Sequence, residues 1–190
     1  LNQLKLVFAV GQRFDPAIRT DEIHAEITNR LREELDYRRE ARHVALYRHM
    51  LREEAQAHVP EVVASHSTDR LLTMSWLDGE PLLNWNERAQ EERDALAIAM
   101  FRAWYVPFYF YGVIHGDPHL GNYSVRPDGS VNLMDFGCVR IFPPRFVRGS
   151  IELYRALMTD DEARAVAAYE DWGFTGLSHE MIKVDRKSVV

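Results

Sequence analysis

"GVIHGDPHLGNYSV", residues 112–125, sets two histidines, an aspartate and an asparagine among glycines and a proline. Three readings compete for such a loop: a metal site, a phosphotransfer loop, or an ordinary polar turn. The metal reading rests on His115, Asp117 and His119, which alternate and would share one side of an extended segment. A zinc or iron site needs further ligands from elsewhere. No second His/Cys cluster supplies them, and Cys138 is the only cysteine.

The phosphotransfer reading asks for an acid that takes or orients the nucleophile's proton, and for oxygen ligands that hold Mg²⁺ against phosphates. Protein kinases put the acid and an asparagine on one loop, as H-R-D-x-x-x-x-N, and a second metal-binding aspartate in a following D-F-G. Here Asn122 stands five residues after Asp117, and Asp135-Phe136-Gly137 follows. Between them "NYSV" and "VNLMDF" flank the turn "RPDGS", so a hairpin would return the chain to the same place. Asp117 is then the catalytic or positioning carboxylate, and Asn122 and Asp135 are the Mg²⁺ ligands. His115 would brace the loop from inside, and His119 would bridge its backbone. Oxygen ligands suit a hard cation.

Working outward, the 190 residues carry a net charge of −6, which argues against a general nucleic-acid binder. A single cysteine fits a reducing compartment. The apolar run 99–114, "AMFRAWYVPFYFYGVI", is broken by Arg102 and is too short for a bilayer; it reads as a buried helix leading into the polar loop. Trp104, Tyr105, Phe108 and Tyr109 sit on it at helical spacing and are expected in the core. A short helix is expected over residues 3–10 and a long one from Thr20 to about residue 57. "EVVASHS" and "RLLTMSWL" read as a hairpin. A helix from Glu87 to about Tyr111 follows. "CVRIFPPRF" is expected to pass straight into a helix headed by prolines, and "DDEARAVAAYEDWGF" supplies one more. The layout is α+β.

The motifs "HGDPHLGN" and "LMDFG", together with "EELDYRREA" at residues 33–41, resemble those of the UbiB/AarF-type atypical kinases, members of the protein-kinase-like superfamily. The resemblance covers about residues 20 to 175. It implies a protein-kinase-like fold: mainly the helical C-terminal lobe, with an αC-type helix and a hairpin from an incomplete N-lobe. Residues 1–75 would be the partial N-lobe and 76–190 the C-lobe. By the same resemblance Glu34 and Asp36 belong to an acidic E-x-D element near the nucleotide, and Glu40 to the αC glutamate that pairs with a strand-three lysine. Asp36, four positions before Glu40, would look into the same cleft. Met74 and Trp76 would lie in the hinge that meets adenine. ATP and Mg²⁺ are the implied cofactors. Support of ubiquinone (isoprenoid-lipid) biosynthesis is the implied role, with a membrane lipid or isoprenoid-quinone precursor as partner and a cytoplasmic, membrane-associated location. Arg145 and Arg148, beside Phe142, Phe146 and Val147, could touch lipid, against the plainer reading of a packed helix face.

The departures are specific. The family's K-x-G-Q is matched only by "AVGQ", residues 9–12, with Ala9 at the lysine position. The only lysines are Lys5, Lys183 and Lys187, none on a recognisable strand three. The chain therefore reads as a fragment that starts after the lysine-bearing strand, and is expected to bind Mg-ATP weakly and turn it over negligibly on its own. The alternatives are an aminoglycoside- or choline-type phosphotransferase and a non-catalytic nucleotide-binding or interaction module.

Overall fold

The computed structural model describes residues 23, 25, 27–29, 35–174 and 176. The expected helix over residues 3–10, the string at 9–12, Glu34 and all three lysines lie outside them.

The long helix expected from Thr20 is interrupted at Leu35 and Asp36, and α1 runs Tyr37–Met50. The cause is local: the Asp36 carboxylate accepts the Arg39 N–H at 2.9 Å, so Asp36 caps the helix instead of lying within it. Nor does the helix reach residue 57. Ala57–His58 forms β1, a strand too short to carry a periodic signature.

The arms expected as a hairpin over residues 61–77 run antiparallel, but only through isolated bridges, Val62 with Met74 and Thr68 with Leu71. Ser67 supplies the reason. Its hydroxyl accepts the Thr73 N–H and donates to the Val63 carbonyl, both at 3.0 Å, so side-chain bonds stand where a ladder would run.

The strands β2 (Glu80–Pro81), β4 (Tyr123–Val125) and β5 (Val131–Leu133) join β1 in a mixed sheet of order β1-β5-β4-β2. The expected hairpin is the β4–β5 pair, with Tyr123 opposite Leu133 and Val125 opposite Val131. β1 runs parallel to β5, so segments from either side of residue 75 share this sheet.

Helix α2 spans Gln90–Tyr111. It buries Leu96, Ala99, Ala103, Pro107 and Phe108, a stripe at helical spacing. Arg102, which breaks the apolar run, holds both oxygens of Glu54 at 2.6 and 2.7 Å and so ties α2 to the segment after α1. Of the aromatic residues expected in the core, Phe108 is buried and Trp104 half-buried, but Tyr109 stands 37% exposed. It stacks on Tyr105, which stacks on Phe101, so that edge of the stripe is a surface ladder.

The helix stops at Gly112, whose φ is +69° and where an added Cβ would come within 2.8 Å of the Phe142 carbonyl oxygen. Val113 and Ile114, just past the helix, open β3 (Val113–His115). Its antiparallel partner is β6 (Val139–Ile141), where a direct passage into helix was expected. The helices α3 (Pro144–Thr159) and α4 (Glu162–Asp171) pack together through Arg148, bonded to Asp171 at 2.6 and 2.9 Å. Stacked Phe142, Phe146 and Trp172 complete that contact, so this face is helix packing. Among the described residues no helix is long and apolar enough to cross a membrane.

The core gathers Val44 and Tyr47 of α1, Leu96 and Ala103 of α2, and Val125, Leu133, Phe136 and Val139 from the strands and their sequel. It sits directly beneath the loop that opens at His115.

Candidate active site

The loop is built on a close approach. Gly116 donates its N–H to the Cys138 carbonyl at 2.6 Å, and a Cβ there would meet the Cys138 sulfur at 2.9 Å. His115, 1% exposed, lies among the rings of Tyr47, Trp104, Tyr123 and Phe136. Its Nδ1 accepts the Asp117 N–H at 3.3 Å, so its Nε2–H is the donor to the Asp135 carbonyl. One imidazole thereby braces both halves of the motif pair.

Asp117 is half-buried. Its Oδ2 accepts the Asn122 amide at 2.8 Å and its Oδ1 the His119 N–H at 3.1 Å. These bonds, the Asn122 one foremost, hold its carboxyl below the usual aspartate range. Asn122 turns its amide nitrogen to Asp117, and its own backbone carbonyl accepts the Met134 N–H at 3.0 Å. That bond brings residue 134, and so Asp135, alongside the loop. Asp135 is exposed, with Oδ1 accepting the Gly137 N–H at 2.9 Å. His119 accepts the Gly121 N–H on Nδ1 at 3.1 Å, bridging the loop as expected.

The sequence did not single out the clamp on Phe136. This residue is fully buried; its N–H donates to Glu40 Oε1 at 3.4 Å, and its carbonyl accepts from His43 Nδ1 at 2.9 Å. The Phe136 ring packs on Tyr47 at 5.1 Å. Helix α1 is thus docked on the D-F-G through three residues on one face. Burial raises the Glu40 carboxyl above its ordinary range, the Phe136 N–H opposes this, and the charge of Asp135 adds to it. Burial lowers His43. His43 lies three residues after Glu40, a helical spacing that would have flagged it. Tyr123 was missed as well: its hydroxyl donates to the Asp117 carbonyl at 3.4 Å, accepts from Trp104 Nε1 at 2.9 Å, and is pushed up to about 12, chiefly by burial.

The other expected residues fall unevenly. Asp36 is exposed and engaged as the α1 cap, so it does not share a helical face with Glu40. Met74 packs against the core, and the segment 74–77 lines a cleft of about 230 Å³ with Pro60 and Met134. Trp76 in that segment is 85% exposed, with its Nε1–H on Asp78. Asn132, buried in β5, donates to the Asp78 carbonyl at 3.0 Å and to Ser124 Oγ at 2.9 Å, which pins the segment to the sheet.

The zinc reading fails on its donors. His115 has both ring nitrogens engaged, and His119 Nδ1 faces Gly121. Among the described residues no three His, Cys, Asp or Glu gather into a metal-binding group. A hard cation fits better, since the Asn122 carbonyl and the exposed Asp135 carboxylate are both oxygen donors.

A family model for the ABC1 atypical kinase-like domain matches residues 1–169. "Atypical kinase coq-8, mitochondrial" of Caenorhabditis elegans is 25% identical over 179 residues, 92% of this chain and 24% of that protein. "Atypical kinase COQ8, mitochondrial" of Saccharomyces cerevisiae is 26% identical, across 96% of this chain and 37% of its own length. "Probable protein kinase UbiB" of Xanthomonas campestris is 30% identical, across 76% and 25%. The chain therefore spans only about a quarter to two fifths of these relatives. The solved complex of Rv3197 with erythromycin from Mycobacterium tuberculosis gives a TM-score of 0.69 at 25% identity, over 92% of this chain and 47% of that one. The α+β layout is that of a partial kinase-like fold.

Proposed function

Because the chain belongs to the family of ABC1 atypical kinase-like domains, we propose that its loop at 115–122 and its D-F-G form a Mg-ATP site for phosphoryl transfer or ATP hydrolysis. The observation that carries this is the Asn122–Asp117 hydrogen bond, with Met134 bonded back onto Asn122 so that Asp135 borders the same loop. The base would lie in the cleft between residues 74–77 and Met134, and Asn122 and Asp135 would hold Mg²⁺. When bound, Mg²⁺ neutralises and orients phosphate oxygens.

The chain's own residues do the rest. A carboxylate held below its usual range is a weak base, so Asp117 orients the attacking hydroxyl or water and receives its proton late. His115 and Tyr123 keep that carboxylate's backbone in place. Glu40 is engaged by the Phe136 N–H, and the described residues contain no lysine, so a lysine clamp for the α/β-phosphates would have to come from outside them. This supports a second reading, a module that binds nucleotide without turnover.

For the intact protein we extend the reading to a UbiB-type atypical kinase or ATPase that supports ubiquinone biosynthesis, the role the COQ8 and UbiB names point to. Calorimetric titration with ATP, with and without Mg²⁺, tests the site. Binding should need Mg²⁺ and be lost in Asp135→Asn. Binding that persists in that variant, or that ignores Mg²⁺, refutes the assignment. ATP hydrolysis by the binding-competent chain separates the enzyme from the non-catalytic module.

A further inference from the structure

Helix α2 keeps one apolar face open. Ile98, Phe101, Tyr105 and Tyr109 follow one another at steps of three and four, which puts them on one stripe of the helix. Ile98 is 62% exposed and Phe101 56%, and the rings of Phe101, Tyr105 and Tyr109 stack in turn. At Tyr109 the stripe runs into a groove of about 430 Å³ between the last turn of α2 and α3, where Phe110, Phe142, Val147, Ile151 and Arg155 also line it. Burial raises the Tyr109 hydroxyl, and Tyr105 and then Tyr154 add to this, so Tyr154 of α3 borders the same stripe. Apolar anchors at this spacing are what a second helix packs against.

The chain's own continuation leaves from beside this seat. Arg148, which also lines the groove, holds Asp171 at the end of α4 at 2.6 and 2.9 Å. Trp172 stacks on Phe146 at 5.3 Å, and Phe146 meets Phe108 of α2 at 6.4 Å. There α4 is turned back: Gly173 takes φ +94°, and the N–H groups of Gly173 and Phe174 close on the carbonyls of Glu170 and Tyr169. The described residues stop at Gly176, and "LSHEMIKVDRKSVV", residues 177–190, follows. Its Leu177, Met181 and Val184 stand at i, i+4 and i+7. A helix over those residues would be about 21 Å long, the reach from the groove to Ile98. The charges match in order as well. Glu180 comes early and Arg186 and Lys187 late, with Lys183 and Asp185 cancelling between them. The seat has Arg155 in the groove and the exposed Asp94 and Glu91 beyond Ile98.

We propose that residues 177–190 dock on this face as a helix antiparallel to α2. Leu177, Met181 and Val184 fill the groove and cover the aromatic stripe, and Arg186 and Lys187 meet its acidic end. Burial of those apolar side chains against exposed rings drives the contact. It also reaches the candidate site. Helix α2 hands the chain to Gly112, three residues before His115, so the docked segment braces from behind the helix that delivers the loop.

The test uses the full 190-residue chain with its methionine methyl groups isotopically labelled, followed by NMR and by amide exchange. The Met181 methyl should lie upfield of its position in a free peptide and show NOEs to the rings of Phe101, Tyr105 or Tyr109. The amides of residues 177–190 should exchange about ten- to hundredfold more slowly than in an unstructured chain, the protection that burying one methionine side chain supplies. Phe101→Asp, at an exposed position, should abolish both effects, while the buried Met50 methyl stays in place and reports that the fold survives. Lys187→Glu should speed the exchange about two- to fivefold, the scale of one exposed ion pair. A Met181 methyl at its free position, or one that Phe101→Asp leaves unmoved, would overturn the proposal. So would ring contacts made by residues 1–22 instead, or NOEs found only between labelled and unlabelled copies in a mixed sample, which would make a second copy the occupant. Exchange indifferent to Lys187→Glu would overturn the antiparallel direction.

Discussion

Replacing His43 by alanine removes the donor to a carbonyl that has no access to water. The Phe136 residue is 0% exposed, and its carbonyl accepts the His43 Nδ1–H at 2.9 Å. A buried acceptor left unmatched costs about 1–3 kcal/mol. In a domain of this size each kcal/mol lowers the melting temperature by roughly 2–4 °C, so His43→Ala should melt about 2–12 °C lower by circular dichroism. His43→Asn, whose amide can donate, should recover part of that loss. The change should also be local, with faster amide exchange at Phe136 and Gly137. Glu40→Ala frees the N–H of the same residue, so the two substitutions share one structural unit. The double variant should depart from the sum of the single ones by about 0.5–3 kcal/mol. A His43→Ala protein that melts within about 1 °C of the parent, or strict additivity with Glu40→Ala, would refute the clamp.

Glu40 has its carboxyl raised by burial, so the folded state holds the proton more tightly than the unfolded one. Its contribution is fully present below the ordinary value of 4.5 and is lost as pH rises through the raised one. Against Glu40→Gln, the parent should lose relative stability over that window in urea denaturation, and a flat difference would contradict it. Asp117 is shifted the other way, chiefly by Asn122, so Asn122→Ala should move its NMR titration midpoint up toward 3.8. No movement would mean that the bond does not set its acidity. Gly116→Ala forces a Cβ to within 2.9–3.0 Å of Cys138 and should cost about 1–3 kcal/mol by prying β3 from β6. Phe136→Ala empties a fully buried site and should cost about 3–5 kcal/mol, read from denaturant midpoints.

What the sequence made legible is what depends on spacing. The five residues from Asp117 to Asn122 and the Pro-Asp-Gly turn are local chemistry, and the hydrogen bond and hairpin found are their direct result. The departures come from side chains that redirect the backbone. Asp36 reads as one more charge on a helical face until its carboxylate is seen on the Arg39 N–H. Ser67 does the same to the arms over residues 61–77. β1, β3 and β6 have two or three residues each, too few for a period of two to stand out, and their pairing is set by distant partners. The surface ladder of Phe101, Tyr105 and Tyr109 escaped because aromatic residues at helical spacing look alike whether covered or not.

The clamp changes what the lack of a lysine among the described residues means. Two consecutive carbonyls of the D-F-G, those of Asp135 and Phe136, are held by the imidazoles of His115 and His43, and the Phe136 N–H is held by Glu40. The backbone is fixed from three sides, while the Asp135 carboxylate alone stands exposed. If Asp135 is the Mg²⁺ ligand proposed above, a group so held needs little reorganisation to meet the cation. A glutamate in this place would ordinarily need a cation to offset its burial, yet here a peptide N–H takes that part, and the raised carboxyl records how incompletely. A lysine brought to Glu40 from outside the described residues would therefore meet a carboxylate whose Oε1 already holds the Phe136 N–H. The phosphate clamp and the hold on the D-F-G would then run through one carboxylate, with Phe136 on one of its two oxygens.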